Sequence, residues 1–349
     1  MRLLAKILKC RQCKAKNVSL GQDKIHIFDF IRAVACIYIV LTHFLLIPIA
    51  KLYNWKGMWS GIGMEMFFFT TGFLIPLSLE RCNWKQFAVK RFFRLMPVLT
   101  LAVITYILAQ KIGFINKDIS IKNIITNLTM TTDLVNISSQ DIMPNLILEV
   151  GWSMQVELKF YIIAAIAFCF GKTMRKKFFI LLGLCLFCYI SAFIFKLPNN
   201  FATSGYCLKL VSCCFLGSIY FFHKKGHISN REFLFFTISF IILICGATWQ
   251  RRYSYAVGAF FVLIVAHFFS EKGNNKIVKC MANLSYSVYL FHDVINTKTI
   301  ELVNLHDVIK LLLMKLLILI TIFVVCRFIY YYIEKPAYDF GRRLASKIK

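Results

Sequence analysis

The sequence predicts an all-α, polytopic integral membrane helix bundle, with about ten transmembrane helices and both termini in the cytoplasm. Composition is the first observation behind this fold class. Hydrophobic residues make up 59% of the 349 positions, against about 45–50% in soluble domains. Charged residues make up only 17%, against about 25%. The second observation is that the apolar residues form segments of nearly the ~20 residues that a helix needs to cross hydrocarbon. A soluble globular protein is therefore excluded.

Ten apolar segments follow one another along the chain. They lie near 27–48, 60–79, 95–112, 146–169, 178–195, 206–222, 233–249, 254–269, 280–296 and 310–332. The sixth, seventh and ninth are the weakest, because they are short or are interrupted by Gly and polar residues, so the expected count is nine to eleven. We expect one membrane domain, 27–333, between a basic cytoplasmic arm, 1–26, and a basic cytoplasmic tail, 334–349.

The distribution of basic residues predicts the orientation of these segments. The chain carries a formal net charge of +26, which in a soluble protein would suggest a nucleic-acid partner. With the N-terminus inside and ten spans, the inner segments hold 27 Lys and Arg residues and the outer loops hold 9. This is the positive-inside bias of membrane proteins. We therefore expect the lipid bilayer, and no nucleic acid, as a partner.

Several ionisable residues fall inside the apolar segments. A charged group at the centre of a membrane helix costs about 2.5–3.5 kcal/mol on insertion scales and is a functional candidate by default. Arg32 and His43 are eleven residues apart, so they share one helix face with about 16 Å between them. Glu65 and His292 are expected at a depth similar to that of His43, and Glu157 near the middle of the fourth segment. Titratable groups that converge from several helices are what an enclosed acid–base site requires.

Six short motifs occur in order between residues 28 and 336. They are FDFIRAVACIYIVLTHF (28–44), GMEMFFFTTGFLI (63–75), KRFFRLMP (90–97), WSMQVELKFY (152–161), LSYSVYLFH (284–292) and IEKP (333–336). Together they resemble the membrane acyltransferase 3 family, in its stand-alone form without a C-terminal SGNH-type domain. Three positions depart from the family's usual pattern: Ala33 replaces Gly, Glu65 replaces Asp and Thr71 replaces Ser.

The resemblance implies acyl transfer from acyl-CoA, with His43 as the general base and Arg32 required on the same helix. The depth of Glu65 suggests that its carboxylate orients the imidazole of His43, and Glu157 or Arg32 is left to hold the acyl group. Whether Glu65 or Glu157 supports His43 stays open. Five further residues are expected to bind substrate: Asp29, Trp152, Ser153, Tyr286 and His292.

The donor is expected to bind at the inner face. The loop before the third segment holds the densest basic cluster between two spans, and arginine binds phosphate in a bidentate manner. We therefore expect Lys90, Arg91 and Arg94 to bind the nucleotide of CoA. Acetyl-CoA is the expected donor, and no metal is expected.

The sequence thus predicts a membrane O-acyltransferase of the bacterial inner membrane. It would move an acyl group, expected to be acetyl, to a sugar hydroxyl of a surface or lipid-linked glycan, which the resemblance implies to be O-antigen, capsule or exopolysaccharide. The alternative is a transporter or flippase of a lipid-linked or anionic substrate, since transporters also hold charges within the membrane. That alternative predicts repeat symmetry and leaves the Arg-x-x-Arg motif unexplained. The acyl group, the sugar and the oligomeric state stay open.

Overall fold

A computed structural model of the chain describes residues 26–46, 60–115, 119–135, 137–138, 141, 145–247, 252–268, 275–302 and 308–348. Within these ranges every regular element is a helix and no strand occurs. The all-α prediction is therefore confirmed. Residues 1–25, which form nearly all of the predicted basic arm, lie outside the described residues.

Thirteen α-helices follow one another in the described part of the chain. They are α1 (His26–Leu41), α2 (Ser60–Arg81), α3 (Trp84–Lys111), α4 (Ile121–Leu128), α5 (Thr132–Val135), α6 (Trp152–Phe170), α7 (Met174–Ile194), α8 (Ser204–Lys224), α9 (Asn230–Ala247), α10 (Arg252–Phe268), α11 (Lys276–Leu302), α12 (Val308–Ile329) and α13 (Lys335–Ser346). π-Helical turns extend α1 over Thr42–Leu46 and α12 over Tyr330–Glu334. A 3-10 turn at Glu149–Gly151 leads into α6.

Seven described helical stretches are long and apolar enough to cross a membrane. They are His26–Phe44, Gly61–Arg81, Trp84–Lys111, Glu149–Phe170, Met174–Ile194, Ser204–Lys224 and Leu313–Ser346. The polytopic prediction is thus confirmed, but the count of ten is not. Helices α9, α10 and α11 occupy the seventh, eighth and ninth predicted segments without belonging to the seven.

The sixth predicted segment, expected to be weak, forms the central helix of the bundle. This helix, α8, packs against α2, α6, α7 and α9, and its side chains are almost all buried. Small and polar residues are typical of interfaces between membrane helices, because they permit close approach and hydrogen bonding. The Gly, Ser and Cys residues that interrupt the apolar pattern of α8 are therefore packing residues.

The crossing of α2 and α8 depends on two glycines. A Cβ atom on Gly72 would lie 1.7 Å from the carbonyl oxygen of Cys214, and one on Gly217 would lie 2.0 Å from the carbonyl oxygen of Phe69. The hydroxyl of Ser218 donates a hydrogen bond to the carbonyl of Gly72 at 2.8 Å. The two backbones are therefore in direct contact, which fixes α2 against the centre of the bundle.

Helices α1, α3 and α11 bring the predicted site residues to the same region. α1 packs between α2 and α11, and α3 packs along α13. The side chain of Asn83 caps the start of α3 by accepting a hydrogen bond from the backbone N–H of Gln86 at 2.9 Å. We call the end of the bundle at which α1, α3 and α11 begin the inner end, following the predicted orientation, and the opposite end the outer end.

Candidate active site

A polar cavity of about 100 Å³ lies among α1, α2, α3, α6 and α11, and we call it the inner cavity. Met64, Leu95 and other apolar side chains form part of its wall. Its polar lining residues are Arg32, Thr70, Thr71, Arg91, Arg94, Ser153, Glu157, Tyr161, Ser285, Tyr286 and Tyr289. Six of the residues that the sequence predicts for the site therefore meet here: Arg32, Arg91, Arg94, Ser153, Glu157 and Tyr286.

Three guanidinium groups converge on the inner cavity. Arg32 forms an ion pair with Asp29, with 3.0 Å between Nη2 and Oδ1. The guanidinium carbon of Arg91 lies 5.6 Å from the ring centre of Tyr161, and that of Arg94 lies 5.8 Å from the ring of Tyr338. Both distances are within the range of cation–π attraction. A cavity lined by three such groups favours a bound anion.

Glu157 is the carboxylate that faces these arginines. Its Oε1 accepts a hydrogen bond from Thr71 at 3.1 Å, and its Oε2 accepts one from Tyr161 at 2.6 Å. Thr71 lies on α2 and Tyr161 one turn further along α6. Two hydroxyl donors on separate helices therefore fix the orientation of the carboxylate, as a preorganised site requires.

A second carboxylate, Glu334, lies close to the same arginines. It is buried in the π-helical turn after α12, where its Oε2 accepts a hydrogen bond from Ser287 at 2.7 Å. Its charge interacts with those of Arg94 and Arg32. Next to Ser287, the hydroxyl of Tyr286 donates to the carbonyl of Leu95 at 2.9 Å. The inner cavity is therefore braced by α11 and by the turn that precedes α13.

His43 and His292 form a second cluster toward the outer end, which we call the histidine pair. Their ring centres are 5.0 Å apart and the rings are at 71° to each other. His43 lies in the π-helical turn after α1, and His292 is fully buried on α11. Beside His292, Asp293 accepts a hydrogen bond from the hydroxyl of Tyr106 at 3.3 Å.

Tyr289 lies between the inner cavity and the histidine pair. Its ring lines the cavity and its centre is 5.8 Å from that of His292. Its hydroxyl is 2.8 Å from Oγ of Ser153 and donates to the carbonyl of Val150 at 3.0 Å. His43 and His292 do not line the inner cavity. The site therefore has two levels, an arginine-rich cavity and a histidine pair, with a tyrosine between them.

Comparison with known families decides the class of this site. The sequence model of the acyltransferase 3 family, an acyltransferase domain, matches residues 25–333. The chain belongs to this family. Neither a curated protein nor a solved structure matches it. The matched range includes every residue of the inner cavity and of the histidine pair, so this integral membrane protein is an acyltransferase with both clusters inside its acyltransferase domain.

Glu65 of this acyltransferase lies apart from both clusters. It is fully buried, its carboxyl group lies beside the thiol of Cys213, and its Cβ is 2.9 Å from the position of a Cβ on Gly258. Cys213 on α8 supplies the polar contact of this carboxyl group. Glu65 thus lies against α8 and α10, and its role in orienting His43 stays a prediction. This orientation follows from helix geometry, because Gly63 faces α1 and Glu65, two residues further, points about 200° away.

Three other predicted residues do not line the inner cavity either. Trp152 packs in an aromatic cluster, with ring centres 5.0 Å from that of Phe201 and 5.9 Å from that of Tyr206. Lys90 precedes Arg91 and is turned away from the cavity by the helical rotation. Asp29 holds Arg32 in place through their ion pair. All three roles in binding stay predictions.

Sequence reasoning missed several residues of the acyltransferase site. Four of them lie in the quoted motifs: Thr71, Tyr161, Tyr289 and Glu334. An apolar helix pattern does not show which hydroxyl and carboxyl groups form hydrogen bonds with one another. Tyr338 lies in the C-terminal segment, whose Lys and Arg residues indicated only a basic tail. In the structure this segment forms α13, which packs along α3, so that the ring of Tyr338 contacts the guanidinium of Arg94.

Proposed function

We propose that this acyltransferase moves an acetyl group from cytoplasmic acetyl-CoA to a sugar hydroxyl of a surface or lipid-linked glycan, such as O-antigen, capsule or exopolysaccharide. We place it in the bacterial inner membrane. The observation that carries the proposal is the two-level site, with an arginine-rich cavity toward the inner end and a histidine pair toward the outer end. Acyl transfer between a cytoplasmic donor and an external acceptor needs an anion site and a base at different depths.

The donor is assigned to the inner cavity. CoA carries several phosphate charges, and Arg91 and Arg94 lie on the inner part of α3 with their guanidinium groups held against tyrosine rings. Arginine held in this way loses little side-chain freedom when it binds phosphate. The pantetheine arm then extends from these arginines along α1 toward the histidine pair. Arg32 and His43 mark the two ends of this path, about 16 Å apart.

The chemistry assigned to His43 is general base catalysis. The acceptor hydroxyl gives its proton to the imidazole while its oxygen forms a bond to the acyl carbon of the thioester. The carbon–sulfur bond then breaks, and the proton passes from the imidazolium to the thiolate, so that CoA leaves as a thiol. Arg32 lines the inner cavity about 16 Å along α1 from His43, so it is assigned, with Arg91 and Arg94, to binding the donor.

An apolar groove beside the inner cavity supports a lipid-linked acceptor. The groove has a volume of about 710 Å³, lies between α3 and α6, and shares Arg91, Leu95 and Tyr161 with the inner cavity. Its other lining residues are mainly apolar, and along α3 they run from Trp84 to Met96, about 18 Å, a length that suits a hydrocarbon chain. A lipid carrier of a sugar presents such a chain to the membrane protein.

Mass spectrometry of surface glycans tests the proposal. Glycans are compared from cells with the gene, cells without it and cells in which the deletion is complemented. We expect the deletion to remove the mass of one acetyl group from a sugar unit and the wild-type gene to restore it. Glycans of identical mass in all three strains would overturn the glycan acceptor, and loss of a larger acyl group would overturn the acetyl donor.

A further inference from the structure

We propose that His292 is a positioning residue for His43, which it holds in the tautomer and orientation that accept a proton from the acceptor hydroxyl. The inference rests on the proposed function. The sequence places His292 among the substrate-binding residues, whereas its surroundings in the structure favour a role behind the base.

The two rings meet through a regular helix interface. The thiol of Cys36 on α1 donates to the carbonyl oxygen of Ser285 on α11, with 3.8 Å between sulfur and oxygen. His43 and His292 each lie seven residues further along these helices, which is about two turns. The two contacts therefore repeat along one interface between parallel helices. The contact of the imidazoles is a consequence of helix packing.

The hydrogen bonds of His292 determine which of its nitrogens carries the hydrogen. Nδ1 lies 2.7 Å from the carbonyl oxygen of Tyr289 and 3.2 Å from that of Val288. A carbonyl oxygen only accepts, so Nδ1 is the donor and Nε2 of the neutral ring is a bare acceptor. Nε2 is buried and has no hydrogen-bond partner in the described part of the chain. A buried acceptor destabilises the protein when it stays unsatisfied.

His43 is the donor that suits this acceptor. The rings of His43 and Tyr289 both contact that of His292, at 5.0 Å and 5.8 Å between centres. The hydroxyl of Tyr289 is already bonded to the carbonyl of Val150 and adjacent to Ser153. His43 is partly exposed whereas His292 is fully buried. His43 is therefore the ring that meets substrate, and His292 is the ring behind it.

This arrangement has a defined consequence for the reaction. When an N–H group of His43 turns toward Nε2 of His292, the other nitrogen of His43 is left without hydrogen and accepts the proton of the hydroxyl. The resulting imidazolium keeps its hydrogen bond to Nε2 until the proton passes to the thiolate of CoA. No proton moves to His292. A π-helical turn at Thr42–Leu46 holds His43, and such turns are frequent at functional sites.

Two substitutions of His292 test the inference in the purified, membrane-reconstituted acyltransferase. His292→Phe keeps a planar ring and removes the acceptor, whereas His292→Gln keeps an acceptor in its amide oxygen. We expect His292→Phe to lower kcat about 100-fold, the smaller end of the range for general base catalysis, with an unchanged KM for acetyl-CoA. We expect His292→Gln to recover most of the wild-type kcat.

Acetyl-CoA binding and the thermal unfolding midpoint show whether each variant folds. If His292→Phe does not fold, His292→Leu is used in its place. A wild-type kcat in the variant without an acceptor would overturn the pairing. So would equal losses in the Gln and Phe variants, because a structural role does not distinguish them. Absence of transfer by the wild-type protein would instead overturn the proposed function, and the inference with it.

Discussion

Arg94 links three parts of the acyltransferase at the residue scale. Its guanidinium lines the inner cavity, lies 5.8 Å from the ring of Tyr338 and interacts with the charge of Glu334. Arg342 lies at the same distance from that ring. Arg94 is therefore held by the C-terminal helix while it faces the cavity.

We predict that Arg94→Ala weakens binding of acetyl-CoA. Hydrogen bonds to charged groups contribute about 1.5–3 kcal/mol each, so the dissociation constant is expected to rise about 10-fold to 100-fold. Equilibrium binding of acetyl-CoA to the purified protein measures it. Lys85→Ala is the matched control, because Lys85 is an exposed cation on the same helix. Equal affinities of Arg94→Ala and the wild type would remove the arginine from the donor site.

Glu65→Gln is expected to leave acyl transfer nearly unchanged. The carboxyl group lies beside the thiol of Cys213 on α8, and Glu65 does not line the inner cavity. A neutral amide at a fully buried position also avoids the penalty of burying a charge. The initial rate of transfer measures this prediction, with Glu157→Gln as the contrasting variant. A rate as low as that of His43→Ala would instead support an orienting role for Glu65.

At the element scale, contact between the backbones of α2 and α8 predicts an intolerance of side chains at Gly217. A methyl group there would overlap the carbonyl oxygen of Phe69, and overpacking costs about 1–3 kcal/mol or more. Gly217→Ala is therefore expected to lower the thermal unfolding midpoint. Gly183→Ala on α7 is the matched control, because nothing lies within 4 Å of its added Cβ. Equal midpoints for the two variants would contradict the close crossing.

The short helix α5 is fixed to α6 by buried polar contacts. Nζ of Lys159 lies 2.7 Å from Oδ2 of Asp133, and the side-chain oxygen of Gln155 accepts the backbone N–H of Asp133 at 3.0 Å. Burial raises the pKa of the Asp133 carboxyl, and the charge of Lys159 opposes this rise. The ion pair therefore holds part of the segment between α3 and α6 against the bundle.

We predict that Lys159→Met destabilises the fold by about 3–5 kcal/mol, because it leaves the buried carboxylate of Asp133 without its partner. The double variant Lys159→Met with Asp133→Asn is expected to regain most of that loss. Unfolding midpoints of the single and double variants measure the coupling between the two side chains. Additive losses in the double variant would show that the pair does not stabilise α5.

At the scale of the whole molecule, the sequence predicted which polar residues lie inside the bundle better than which of them line the same cavity. Helical spacing placed Arg32 and His43 on one face at different depths. Arg32 lines the inner cavity, and His43 belongs to the histidine pair. Depth alone gives no information on which side of a helix faces the site. Glu65, which the sequence predicts at the depth of His43, faces α8 and α10, and Lys90 is one residue away from the cavity-lining Arg91.

The prediction of the number of spans was limited by its dependence on hydropathy. High hydropathy is expected of a helix that contacts lipid, whereas a helix surrounded by other helices need not be apolar. For this reason the apolar pattern of α8 is a weak signal for a membrane span, although α8 is the most buried helix of the seven. The membrane class and the acyltransferase family were predictable because they depend on overall composition and on the order of the motifs.

The central claim is that His43 is the general base when an acetyl group passes from a donor in the inner cavity to an acceptor hydroxyl. Its most direct test uses inside-out membrane vesicles that receive radiolabelled acetyl-CoA on the exposed cytoplasmic face. We predict that wild-type vesicles incorporate label into glycan, and that vesicles with His43→Ala bind acetyl-CoA normally but incorporate none. Equal incorporation by His43→Ala and wild-type vesicles would contradict the assignment of His43 as the base.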